Sequence, residues 1–156
     1  MDQKTSFILL IFTLLASCQN YVYKDYHEFK EQKWSQNKGI SFEYKSENTE
    51  DKNQTYNLLL TLRYHVAIAD ELFQFKIRIT APSGKTEEKA LSIPRTDGTG
   101  KLRSEELGDL GDIEEAFLKN YKFEESGTYK FEINHAMLMD EWGGILGVGI
   151  KVQKAN

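Results

Sequence analysis

From Ile40 onward, apolar and polar residues alternate with a period of two over much of this chain. Ile40, Phe42 and Tyr44 are interleaved with Ser41, Glu43 and Lys45. Leu58, Leu60, Leu62 and Tyr64 share a face within residues 56–66, with Leu59 as an interruption. Phe73, Phe75, Ile77 and Ile79 alternate with Gln74, Lys76, Arg78 and Thr80. Tyr129, Phe131 and Ile133 follow the same rule, as do Val148, Ile150 and Val152. Alternation of this length predicts strands with one face in a core and the other in water.

The segments between these runs carry turn residues: Pro82-Ser83-Gly84, Asp97-Gly98-Thr99-Gly100, Ser126-Gly127 and Gly143-Gly144. Residues 105–118 are expected to hold one short helix. Asp112 would be its N-cap, and Glu115 three positions later would complete a capping-box-like pair. Several strands, turns between them and at most one short helix predict an all-β fold, an antiparallel β-sandwich of the jelly-roll kind.

Ahead of the alternating region the pattern is different. Residues 7–16 form an unbroken apolar run apart from Thr13, and Leu15-Ala16-Ser17-Cys18 follows it with the only cysteine. The run has the length of a secretory h-region and is too short to span a bilayer, which takes about 20 residues. Small residues before a free thiol are what a peptidase needs for cleavage and a diacylglyceryl group needs for attachment. Residues 1–17 are therefore expected to be a lipoprotein signal peptide, with Cys18 as the lipidation site. Residues 18–38, rich in tyrosine, lysine and glutamine, are expected to be a lipidated leader that docks some aromatics on the domain of residues 39–156. With Cys18 acylated no thiol remains for a disulfide, so that domain must fold on its core alone.

The net charge of −4 comes from 24 acidic and 20 basic side chains interspersed along the chain. That leaves no basic footprint for nucleic acid. Membrane attachment is expected through acyl chains, at about 0.8 kcal/mol per buried CH₂.

Motifs for chemistry are sparse. Gly84-Lys85-Thr86 ends like a P-loop, but Ile79 stands where the first glycine is required, so a hairpin turn is the better reading. His27, His65 and His135 have no partner at zinc-ligand spacing, and there is no Gly-x-Ser-x-Gly elbow. Glu105, Glu106, Asp109, Asp112, Glu114 and Glu115 form an acidic cluster without EF-hand spacing and read as a solvated face. No catalytic residue, no metal site and no small-molecule substrate are expected. Trp34, Trp142 and the many tyrosines would be the platform of a rival reading, a glycan-binding surface lipoprotein.

Several pieces taken in order resemble a family. Cys18 precedes a tyrosine-rich leader and Trp34, then Ile40-Ser41-Phe42, Tyr56-Asn57-Leu58, Leu62-Arg63-Tyr64 and Pro82-Ser83-Gly84-Lys85. Gly98-Thr99-Gly100, Tyr121-Lys122-Phe123, Ser126-Gly127-Thr128-Tyr129 and the closing residues 144–150 complete the order. This is similar to the GldH family of gliding-motility lipoproteins over nearly the whole chain after Cys18. Two places depart from the family pattern, namely residues 67–71 and Gly147.

The resemblance implies a cell-envelope lipoprotein of surface gliding, linked to type IX secretion, with no catalytic residues to carry over. The expected partners are envelope proteins of the gliding machinery, with no cofactor beyond the lipid on Cys18. The expected location is the outer membrane, facing the periplasm, since Gln19-Asn20 lacks the aspartate of inner-membrane retention. Residues 98–111 form a long polar glycine-rich segment, the kind of connection that carries function. Within it Thr99, Gly100, Lys101, Leu102 and Arg103 are the expected partner-binding residues. Cys18→Ser is expected to leave an unprocessed or soluble form that takes up no labelled palmitate; equal labelling of the variant would overturn the lipoprotein signal.

Overall fold

The computed structural model describes residues 21–47 and 54–155, so Cys18 and the expected signal segment lie outside the described residues. Eleven strands follow in order: β1 Tyr21–Glu28, β2 Lys33–Ser35, β3 Ile40–Ser46, β4 Tyr56–His65, β5 Leu72–Thr80, β6 Thr86–Pro94, β7 Glu105–Leu107, β8 Leu110–Tyr121, β9 Gly127–His135, β10 Glu141–Gly143 and β11 Ile145–Lys154. They make a five-stranded sheet in the order β1-β11-β4-β8-β7 and a four-stranded sheet in the order β3-β9-β5-β6. A small β2-β10 ribbon completes the set. All pairings are antiparallel.

Among the eight long strands the first pairs with the last (β1 with β11), the second with the seventh (β3 with β9), the third with the sixth (β4 with β8) and the two middle ones with each other (β5 with β6). This is one long hairpin rolled into two facing sheets, the jelly-roll arrangement the alternation predicts. The inward rows are Leu58, Leu60, Leu62 and Tyr64 on β4, Phe73, Phe75, Ile77 and Ile79 on β5, and Val148, Ile150 and Val152 on β11. All of these are buried.

Two expectations are corrected. Residues 105–118 are not a helix, and no helix occurs among the described residues. The chain turns at Gly108, whose φ of 65° a side chain would strain, and β7 folds back on β8. Asp112 and Glu115 imitate a capping box, but Ile113 between them is a core residue of a strand. The β4–β8 register shifts around Leu58 and Leu59, opposite residues 116–118, which breaks the period of two in the β8 sequence. Residues 21–28, placed in a leader by the sequence, are the edge strand β1 of the larger sheet. Their core-side positions hold Tyr23, Asp25 and His27 instead of aliphatic residues, so the alternation is invisible in the sequence. Asp25 accepts the Tyr26 backbone N–H at 2.8 Å and the Tyr23 hydroxyl at 3.2 Å. A carboxylate turned onto the backbone of an edge strand discourages pairing with another chain.

Aromatic clusters close both ends of the sandwich. Near the start of β1, Phe123 gathers Tyr44, Tyr56, Tyr121 and Tyr129 at centroid distances of 4.8–5.3 Å. Burial pushes the Tyr121 hydroxyl up to about 12. At the opposite end Trp34 and Trp142 face each other across the β2-β10 ribbon, stacked at 6.4 Å, each with 0% exposure. Their indole N–H groups donate to the Lys38 carbonyl at 2.9 Å and to an Asp70 carboxylate oxygen at 3.1 Å.

His135 sits between the two tryptophans at 5.5 and 5.7 Å, 2% exposed, with neither ring nitrogen hydrogen-bonded. Burial holds its pKa below 6.5. The folded protein therefore keeps a neutral imidazole that the unfolded chain protonates more readily. This contribution to stability is fully present above the unfolded pKa and is lost as pH falls below about 6.5, at up to about 1.4 kcal/mol per pH unit. Urea unfolding of wild type and His135→Phe between pH 7.5 and 5 is the check. The variant is expected to lose less stability on acidification; equal slopes would contradict a neutral buried His135.

Candidate functional site: the loop end opposite the start of β1

Strand register sorts the loops into two groups. Tyr21 of β1, Gln153 and Lys154 of β11, and Tyr56 and Tyr121 lie at one end of the larger sheet. Glu28, Gly147, Arg63 and Asp112 lie toward the other, beyond which come the β1–β2, β4–β5, β6–β7, β7–β8 and β9–β10 connections. Backbone bonds tie that second group together. His65 N donates to Gly144 O, Gly144 N to Gln32 O, Val66 N to Asp109 O and Gln36 N to Asp140 O, at 2.8–2.9 Å.

The expected partner-binding residues fall in this group. Thr99, Gly100, Lys101 and Arg103 are exposed and Leu102 is half-buried. They are held in one shape by Asp97. One of its carboxylate oxygens accepts Thr99 N at 2.8 Å, Thr99 Oγ1 at 2.7 Å and Lys101 N at 3.1 Å. The threonine bonds hold the Asp97 pKa below the usual carboxylate value. A bridge between Thr96 and Leu102 makes the segment a small hairpin with an exposed tip. Arg103 leaves the tip to pair with Glu115 and to donate to the Pro94 carbonyl at 3.2 Å.

The acidic cluster of the sequence is dispersed by the β7–β8 hairpin. Asp112 makes a two-pronged pair with Arg63, at 2.7 and 2.6 Å, and Glu114 pairs with Lys151. Glu105 and Glu106 are exposed, and Asp109 lies 3.7 Å from the His65 imidazole. Among the described residues no group of three or more His, Cys, Asp or Glu side chains is placed to hold a metal. Pro82-Ser83-Gly84 is the β5–β6 hairpin turn, closed by Gly84 N to Ala81 O at 2.8 Å, as the sequence reading has it. With both tryptophans fully buried, the stacking platform of the rival glycan reading does not exist on them.

Sequence reasoning missed the apolar residues of this end. Leu107, at the β7–β8 turn, is 81% exposed, and Leu138, in the β9–β10 connection, is fully exposed beside a 38% exposed Met139. A single leucine in a turn gives no periodic signal. Its exposure appears only once β7 and β10 are placed.

Comparison with known proteins bears on the family. The family model described as GldH lipoprotein matches residues 21–152. A gliding motility lipoprotein GldH homolog of Christiangramia forsetii is 27% identical over an alignment of 166 residues that covers all of this chain and 99% of the relative. Among solved structures, the VP2 subviral particle of infectious bursal disease virus aligns at a TM-score of 0.38 and 15% identity. That alignment covers 96% of this chain and 38% of the viral one. With a family match from the first residue of β1 to Val152 in β11, the chain belongs to the GldH family of gliding-motility lipoproteins.

Proposed function

We propose that this lipoprotein is a non-enzymatic holder of an envelope protein partner in gliding motility, working beside type IX secretion from the periplasmic face of the outer membrane. The observation that carries the reading is the exposure of Leu107 and Leu138 at one end of the sandwich. Cys18 is three positions before Tyr21, so an acyl anchor there would hold the Tyr21 end within about 10 Å of the membrane. Strands of eight to ten residues carry the opposite end roughly 30 Å further out. Apolar tips presented there are beyond the reach of the anchoring bilayer, and a protein with complementary apolar pockets suits them. Tyr21 and Val22, the exposed apolar residues at the anchored end, suit the membrane interface instead.

Thr99, Gly100, Lys101, Leu102 and Arg103 project from the same loop end and supply polar contacts around those tips. Family membership supports the gliding role.

Complementation of a deletion strain tests the reading. The deletion is expected to reduce spreading on surfaces with near-normal growth in liquid. Leu107→Asp with Leu138→Asp, or replacement of residues 99–103, is expected to fail to restore movement while the lipoprotein stays at its normal level in the membrane. Phe131→Asp is expected to fail differently, by loss of the protein, because Phe131 is fully buried and the new charge would be unpaired. Lys130→Gln, on the exposed face, is expected to restore movement. Normal gliding by the deletion strain, or by the double leucine variant, would overturn the proposal.

A further inference from the structure

The outer face of the five-stranded sheet is built around a gap. On β11 the outward positions Gly147 and Gly149 have no side chains, while the strands on either side do. Register places Glu28, Gly147, Arg63 and Asp112 in one row across the sheet and Tyr26, Gly149, Thr61 and Glu114 in the next. Along these rows runs a groove of about 700 Å³, lined by Tyr26, Thr61, Arg63, Asp112 and Glu114 among others and within the size range of ligand clefts.

Tyr26 lies across that gap. A Cβ on Gly147 would collide with the Tyr26 hydroxyl and Cζ, and one on Gly149 would come within 3.0 Å of Tyr26 Cδ2. Glycines at alternate positions of a strand mark a close approach, and here the group approaching is an aromatic ring. The ring therefore runs along β11 on the sheet backbone and remains 40% exposed toward the groove. Its hydroxyl is pushed up chiefly by burial, with Arg63 pulling the other way.

Beside the ring the groove is charged but balanced. Arg63 and Asp112 form a two-pronged pair, Lys151 meets Glu114 and Arg103 meets Glu115. Lys24 and Glu105 also line it, so its four cations and the carboxylates Glu105, Asp112, Glu114 and Glu115 balance in number, and the face has little net pull on a polyanion. The carboxylates retain unused lone pairs and the guanidinium retains unused N–H groups, in fixed positions. A neutral chain whose hydroxyls both donate and accept, and whose ring C–H faces can lie on an aromatic ring, matches that surface.

We infer that the outer face of this sheet is a binding groove for a neutral glycan chain. One pyranose ring stacks on Tyr26, and neighbouring hydroxyls bond to the Arg63–Asp112 pair and Glu114. The platform is the tyrosine of an edge strand laid over two glycines, on a different surface from the buried tryptophans. It does not depend on what the loop end holds.

The test uses the full mature lipoprotein in detergent and neutral hexasaccharides of N-acetylglucosamine, glucose and xylose, read by calorimetry and by saturation transfer to the sugar protons. At least one hexamer is expected to bind, with little change from low to high salt. Tyr26→Phe should bind within about threefold of wild type, and Tyr26→Ala should weaken binding at least about tenfold. Gly147→Ala, whose Cβ would meet both the Tyr26 hydroxyl and the His27 carbonyl, should weaken binding as well. Should Tyr26→Ala unfold, Tyr26→Leu, which keeps apolar bulk without the ring, decides together with Arg63→Gln, since both must weaken binding in a folded protein. The inference is overturned if no neutral hexamer binds, if binding survives loss of the ring, or if only heparin binds and salt abolishes it.

Discussion

Register is the constraint on which the rest of this structure depends. β11 lies between β1 and β4, and a slip of one residue on either side would turn Val148, Ile150 and Val152 out to water and Gly147, Gly149 and Lys151 into the core. The same pairing decides what the outer face can be, because the glycines that let Tyr26 lie on the sheet are the alternate residues of the strand whose other face is the core. Core and groove are two sides of one alternation. The aromatic clusters around Phe123 and Trp34–Trp142 then seal the two ends, which frees the loops at the second end to carry exposed side chains.

That division also separates the two surfaces proposed to carry function. The loop end is made of turns pinned by backbone bonds and by Asp97, and it presents apolar tips. The sheet face is a rigid array of paired charges around one tyrosine. Loops set by such bonds can hold a protein partner without folding on contact, so little ordering entropy opposes binding.

The sequence makes β3, β4, β5, β9 and β11 legible, because each buries one face among aliphatic and aromatic neighbours. β1 was not legible as a strand: an edge strand buries little, and Tyr23, Asp25 and His27 do not look like a core row. β8 was misread as a helix because Asp112 and Glu115 stand at capping-box spacing and the register shift near residues 116–118 disturbs the alternation. The Gly-x-Gly at 147–149 was visible, but Tyr26 is more than a hundred positions away and only the β1–β11 pairing joins them. Thr99 to Arg103 was legible as an exposed polar loop from its glycines, whereas Leu107 and Leu138 looked like any other apolar residues.

The central claim is that the two ends of the sandwich meet different surroundings. Site-specific photocrosslinking in gliding cells tests it, with the photoreactive residue placed in turn at Tyr21, Leu107 and Leu138. A probe at Leu107 or Leu138 is predicted to yield a discrete protein adduct that is absent at Tyr21, where the probe should react with lipid. Protein adducts at Tyr21 and none at either leucine would contradict the account.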